Sequence, residues 1–83
     1  MKIVFKLYAS LADYLPAERR GNIVELDVPA GATVGDLIAR YRLPEKCAHL
    51  VLVNGHYIAP SDRVGKALSE GDELAIWPPI AGG

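Results

Sequence analysis

The chain has 83 residues, of which 51% are hydrophobic, and a formal net charge of −1. This length and composition indicate one small globular domain spanning residues 1–83, near the lower size limit for a stable single core. The charge argues against a nucleic-acid binder, which is normally basic. The apolar runs are too short to cross a bilayer, no signal-peptide core follows Met1, and the single cysteine, Cys47, forms no internal disulfide, so we expect a cytoplasmic protein.

Two segments in the first part of the chain have side chains that alternate between a buried and an exposed face, and this pattern predicts two strands. Residues 2–8 place Ile3, Phe5 and Leu7 on one face, and residues 22–28 alternate in the same way. Between them, residues 10–20 suit a short helical turn that Pro16 stops.

A helix is predicted to begin after Thr33, a good N-cap, because Asp36 three residues later completes a capping-box pattern. The helix is expected to continue through Arg40 and Arg42 and to end at Pro44. Its packed face follows the spacing of Val34, Leu37, Ile38 and Tyr41. Gly35 lies inside it at a cost of about 1 kcal/mol relative to alanine, which indicates either close packing or mere tolerance.

The second half of the chain predicts three more strands. Residues 49–53 form the first, Asn54-Gly55 is typical of a two-residue type I′ turn, and residues 56–58 return. Residues 60–71 are polar and irregular, with Val64 and Leu68 as expected anchors, and residues 72–77 form the last strand.

This order of elements predicts an α+β fold of two layers, a β-grasp with one main helix packed on one face of a mixed sheet. The other sheet face must then meet water or a partner. Candidates for that uncovered face are Val4, Tyr8, Val51, Ala75, Trp77 and either Val53 or His49. Trp77 is either an interface residue, as tryptophan often is, or the filling of a satellite core.

The sequence predicts no catalytic or metal site within the body of the chain. The turn geometry places His49 and His56 about 13 Å apart along the ladder, too far to share a metal. Cys47 is interpreted as a small buried hydrophobe.

The carboxyl terminus, Pro78-Pro79-Ile80-Ala81-Gly82-Gly83, is the unusual chemical feature, and we call residues 78–83 the arm. The prolines favour an extended base, and two glycines without side chains can enter a channel as narrow as the backbone. From Pro79 onward the arm reaches roughly 16 Å and delivers the Gly83 carboxylate. Considered alone, Gly82-Gly83 is equally compatible with a disordered end.

Four segments resemble the MoaD/ThiS sulfur-carrier family: residues 4–13, residues 31–37, residues 53–55 and, most specifically, residues 68–83. The resemblance spans the chain, and the Pro-Pro form of its end is similar to the molybdopterin branch. The chain departs from the family in its short helix and in Trp77, where phenylalanine is common.

The resemblance implies that an E1-like (MoeB-like) adenylyltransferase uses ATP and magnesium to adenylate the Gly83 carboxylate. A persulfide donor then yields a thiocarboxylate. The arm, Pro78, Pro79, Ile80, Ala81 and Gly82, enters a MoaE-like molybdopterin synthase large subunit and Gly83 gives its sulfur to cyclic pyranopterin monophosphate. The resemblance implies a carrier that is not catalytic alone and binds no cofactor or metal itself; we expect Tyr8, Val51 and Trp77 at the partner interface.

Two other functions stay open. The chain could carry sulfur for thiamine or cysteine synthesis, or be a ubiquitin-like modifier joined through Gly83 to lysines. It could also be a β-grasp interaction module with an inert tail.

Overall fold

The structure, a computed structural model, describes residues 1–79. Five strands form one sheet in the order β2-β1-β5-β3-β4. In chain order the strands and the helix are β1 (Lys2–Leu7), β2 (Ile23–Asp27), α1 (Val34–Arg40), β3 (Leu50–Val53), β4 (His56–Tyr57) and β5 (Glu73–Trp77). Short 3-10 turns occupy Ala9–Tyr14, Glu45–Cys47 and Pro60–Asp62.

The first and last strands lie side by side at the centre of the sheet. β1 and β5 are parallel, with Phe5 opposite Leu74 and Leu7 opposite Ile76, whereas the other strand pairs are antiparallel. Parallel neighbours need a long crossover, and the segment between these two strands contains α1. The predicted mixed sheet with one helix on one face is therefore confirmed.

The start of α1 forms as predicted. The Thr33 hydroxyl accepts a hydrogen bond from the Asp36 amide at 3.1 Å, and the Asp36 carboxylate accepts one from the Thr33 amide at 3.0 Å. These two bonds satisfy two amides that the first helical turn leaves without partners.

The end of α1 comes earlier than predicted. The helix stops at Arg40, because Arg42 adopts a left-handed φ of 57°. The Arg42 amide donates to the Ala39 carbonyl and the Leu43 amide to the Ile38 carbonyl, both at 3.1 Å, which is a Schellman ending. This reversal sends Leu43 into the core.

The predicted face of β3 is wrong. Val51 is 0% exposed and Val53 is 4% exposed, and they pair with Ile76 and Leu74 on the side covered by α1. Neither residue belongs to the uncovered face. Residues 50–53 are apolar at every position, so alternation carried no information about which side chains point inward.

The predicted anchor Val64 is also wrong, since its side chain is 79% exposed, whereas Leu68 is buried as expected. The adjacent Arg63 anchors this segment instead. Its guanidinium is buried and donates to three backbone carbonyls, those of Ala48, His49 and Ile58. A buried charge is tolerated here because its hydrogen bonds replace those lost to water.

Gly35 is required by close packing. A Cβ atom at this position would lie 3.0 Å from the Val64 Cα and 3.3 Å from the Arg63 carbonyl oxygen. The Gly35 amide also donates to that oxygen at 2.8 Å, so α1 touches the residue 60–66 segment backbone to backbone.

Within residues 1–79, no helix combines the length and the apolar character that a membrane crossing requires.

We expect Gly35→Ala to lower the free energy of unfolding by about 1–3 kcal/mol, because the new methyl group forces two backbones apart. Helix propensity alone would raise it by about 1 kcal/mol. Urea denaturation measures the difference. Gly65→Ala is the matched control, since a Cβ there meets no atom within 4 Å and the backbone is not left-handed. A Gly35→Ala protein as stable as its parent would contradict the packing argument.

Candidate functional site at the open sheet face

The sheet face opposite α1 carries a continuous set of side chains, which we call the open face. Strand register places them together because residues paired across strands share a face. Its central members are Val4, Lys6, Leu50, Leu52, Glu73, Ala75 and Trp77, with Tyr57 at the β4 edge. Except for Ala75, these side chains are exposed or half-buried.

An aromatic pair closes the open face at the end where the arm begins. The rings of Tyr8 and Trp77 stack with centroids 4.0 Å apart and an interplanar angle of 8°. Trp77 pairs with Leu50 and lies outside the buried core cluster. Trp77 therefore lies on the open face, stacked on a neighbour, and its place at a partner interface stays a prediction.

The backbone leading into the arm is fixed on both sides. The Tyr8 amide donates to the Ile76 carbonyl, and the His49 amide donates to the Trp77 carbonyl, both at 3.1 Å. Pro78 is half-buried and Pro79 is exposed. The chain therefore leaves the sheet from a defined point beside the aromatic pair.

The middle of the open face is apolar. Leu50 and Leu52 are half-buried, and Ala75, opposite Leu52, is only 7% exposed. These residues form an apolar strip, which is a suitable surface for an apolar side chain of another protein.

An ion pair borders this apolar strip. Lys6 and Glu73 form a salt bridge between neighbouring strands. The hydrogen bond to Glu73 raises the pKa of Lys6 above its usual value, so Lys6 stays an ammonium at neutral pH. A fixed charge at the rim of an apolar surface favours one orientation of a docked partner.

The sequence-predicted site residues are only partly brought together. Tyr8 and Trp77 meet at the base of the arm, whereas Val51 is buried beneath the opposite face. Ile80, Ala81, Gly82 and Gly83 lie outside the described residues.

Leu50 and Leu52, which the sequence interpretation missed, take the place that Val51 was expected to hold. Placing the predicted strand at residues 49–53 beside the last strand could have identified Leu50 and Leu52. Trp77 and Ala75 were already predicted to point away from the core, and their β3 partners share that face.

The described part of the chain holds no cluster of metal-binding side chains. Among residues 1–79, no three histidine, cysteine, aspartate or glutamate side chains converge on a common point. Cys47 is half-buried and packs against the core.

Comparison with known proteins defines the class of this molecule. It is 34% identical to small archaeal modifier protein 1 of Haloferax volcanii, in an alignment that covers 95% of this chain and 98% of the relative. The crystal structure of that protein superposes with a TM-score of 0.68, at 33% identity and full coverage of both chains. The fold is thus the ubiquitin-like β-grasp of small modifiers and sulfur carriers.

The family assignment follows from a family model. The model described as the ThiS family matches residues 8–83, so the chain belongs to that family, the MoaD/ThiS sulfur carriers. A putative molybdopterin converting factor subunit 1 from Pyrococcus furiosus is 25% identical, with a TM-score of 0.61 over 95% of this chain and 98% of the other. A complex of subunits 1 and 2 of molybdopterin-converting factor from Helicobacter pylori 26695 shares the fold alone, with 16% identity, full coverage of both chains and a TM-score of 0.60.

We expect Trp77→Ala to cost about 0.5–1.5 kcal/mol of unfolding free energy, the worth of one aromatic stack. Ile76→Ala, one residue away but fully buried, should cost about 2–5 kcal/mol. A double-mutant cycle with Tyr8→Ala should return a coupling of about 0.5–1.5 kcal/mol, measured by chemical denaturation. Equal losses for Trp77→Ala and Ile76→Ala would place Trp77 in the core instead.

Proposed function

We propose that this chain is the sulfur carrier of molybdopterin synthesis and that its reacting group is the Gly83 carboxylate. The observation that carries the proposal is the position of Pro78, the base of the arm. The last strand occupies the centre of the sheet, so its end lies beside a half-buried aromatic pair and an apolar strip. A partner that binds the open face therefore meets the base of the arm at a defined place.

The chemistry requires activation by another protein. A carboxylate is a poor electrophile because attack must expel an oxide, and at neutral pH a terminal carboxyl is ionised. In the proposed sequence a Gly83 oxygen attacks the α-phosphorus of ATP, and magnesium pyrophosphate leaves. A persulfide sulfur then attacks the acyl carbon and expels AMP. A thiol cleaves the acyl disulfide, which leaves a thiocarboxylate on Gly83.

The large subunit of a molybdopterin synthase is the proposed acceptor complex. The Pyrococcus furiosus relative is named as a molybdopterin converting factor subunit, and the Helicobacter pylori neighbour was solved with its second subunit. By analogy, the open face docks on the large subunit and the arm enters its active site. The carrier supplies the sulfur nucleophile, and the partner supplies the acids and bases.

A second function is favoured by a specific observation. The relative at 34% identity is named a modifier protein, and its alignment covers nearly the whole of both chains. In a modifier, a lysine amine in place of sulfur would attack the same acyl-adenylate. Both functions share the activation step and differ in the nucleophile that follows.

The first test of the carrier function is a change of one oxygen to sulfur in the intact mass. The full chain is incubated with ATP, magnesium, a persulfide donor and the activating enzyme encoded in the same genome. We expect the thiocarboxylate to form and to be consumed when the large subunit and cyclic pyranopterin monophosphate are added. A chain lacking Gly83 should keep its circular dichroism spectrum and show no mass change.

If pyrophosphate is released but sulfur is never incorporated, the carrier function is contradicted. If the thiocarboxylate forms but the large subunit and pyranopterin do not consume it, the molybdopterin assignment fails and another sulfur pathway is indicated.

The second test concerns the open face. Trp77→Ala should weaken binding of the large subunit by about 2 kcal/mol, roughly thirtyfold in Kd, because a rigid aromatic anchor is lost. Isothermal titration calorimetry measures the change. Val64→Ala removes apolar surface on an exposed side chain outside the open face and serves as the control. Equal affinities for the Trp77→Ala and parent proteins would contradict docking through this face.

A further inference from the structure

We propose that Lys46 is the acceptor lysine of this chain, at which Gly83 of a second copy forms an amide. The site is the cleft between α1 and residues 60–64, which we call the α1 groove. It has a volume of about 460 Å³, and its lining includes Ile38, Lys46, His49, Pro60, Arg63 and Val64. The inference rests on the modifier chemistry described above, since it uses the same activated Gly83.

The four lysines of the chain differ in whether they form ion pairs and in the surface on which they lie. Lys2 lies 3.8 Å from Glu25, and Lys6 is bound to Glu73. Both lie on the sheet face that an activating partner would cover. Lys46 and Lys66 are exposed, and neither forms an ion pair with any other residue among positions 1–79.

The surroundings of Lys46 suit an acceptor better than those of Lys66. An ammonium must lose a proton before it attacks an acyl carbon, and imidazole is the side chain best suited to accept one near neutral pH. His49 is exposed and lines the same groove as Lys46, together with the Glu45 carboxylate. Lys66 lines a separate depression, where its ionisable neighbours are Tyr57 and Asp62.

Arg63 adds a positive charge to the wall of the α1 groove. Its three hydrogen bonds to backbone carbonyls hold the guanidinium in place. Attack on an acyl group develops negative charge on the carbonyl oxygen, and a fixed cation nearby stabilises that charge. The groove therefore combines a nucleophile, a base and a cation in one location.

The shape of the α1 groove and the sequence of the arm are compatible. Two glycines present only backbone, so the end of an arm fits a narrow cleft. Pro78 and Pro79 restrict the base of the arm to extended conformations, so we assign the donor arm to another copy. The groove is on the α1 side, so a copy docked through its open face still exposes Lys46.

The proposed step balances without an additional redox reagent. The Lys46 amine nitrogen attacks the Gly83 carbonyl carbon of the second copy, and a C–N bond forms. The C–O bond to the adenylate breaks, and AMP leaves with its electron pair. The surplus proton of the amine passes to His49 and then to solvent.

A Gly83 thioester tests the acceptor site without any activating enzyme. The full chain is prepared as a thioester of a small thiol and mixed at pH 7.5 with a second copy that lacks Gly82 and Gly83 and so cannot act as donor. We expect a covalent dimer whose proteolytic fragments carry the Gly-Gly linkage on Lys46. Lys46→Arg, made in both copies, should reduce dimer formation about tenfold or more. His49→Gln, also made in both copies, should slow dimer formation about tenfold.

Lys66→Arg is the matched control and should leave the dimer yield unchanged. Linkage spread evenly over the lysines, or concentrated on Lys66, would overturn the inference. A cyclised monomer in place of a dimer, formed when the intact thioester is incubated alone, would overturn the assignment of the second copy as donor. Circular dichroism of each variant verifies that the fold is retained.

The enzymatic version separates this inference from the proposed function. With activating enzyme and ATP, pyrophosphate release reports activation independently of linkage. If pyrophosphate is released and Lys46 stays unmodified, the acceptor site is overturned while activation of Gly83 stands. If a cognate activating enzyme releases no pyrophosphate, the proposed function fails, and selective Lys46 linkage from the thioester still supports the acceptor site.

Discussion

The parallel pairing of β1 with β5 is the constraint on which the remaining structure depends. It brings the two ends of the chain to the centre of the sheet, where Phe5 lies opposite Leu74 and Leu7 opposite Ile76, all of them buried. Because both strands are central, neither offers a free edge to another chain. The same pairing brings Tyr8 against Trp77 and anchors the strand from which the arm departs. The base of the arm, at Pro78, therefore depends on the core for its position.

The sheet face opposite the open face is covered by the short helix α1, and the segment after β4 supports that helix. α1 alone is only seven residues long, and the segment after β4 completes the layer. Arg63 holds that segment through backbone carbonyls, and Gly35 allows the two backbones to meet. These two residues are linked, because the Arg63 carbonyl accepts the Gly35 amide. The structure thus uses one polar contact where a larger domain would use more apolar area.

The sequence predicted those features that a local pattern encodes. Capping chemistry identified the start of α1, and alternation oriented β1 and β5. It failed where the pattern is uniform, as in Leu50 to Val53, because only the pairing with β5 decides which side chains face inward. The sequence prediction also failed at Arg63 and Val64. Hydrophobicity favours valine as an anchor, but the backbone carbonyls that Arg63 contacts need a hydrogen-bond donor. The aromatic stack joins residues distant in sequence and could not be read from spacing.

The proposed location of the chemistry at the terminus agrees with the small size of the body. Among residues 1–79, Arg63 is the one buried charged or polar side chain, and all its named hydrogen bonds serve the fold. A core this small cannot spare positions for a desolvated acid, base or nucleophile without losing the apolar contacts that hold it together. A chain of this size gains reactivity more cheaply by presenting its own carboxyl group to a larger partner. In the proposed function, the open face and the α1 groove are two separate surfaces: the open face orients the molecule on an enzyme, and the α1 groove stays accessible while the molecule is bound.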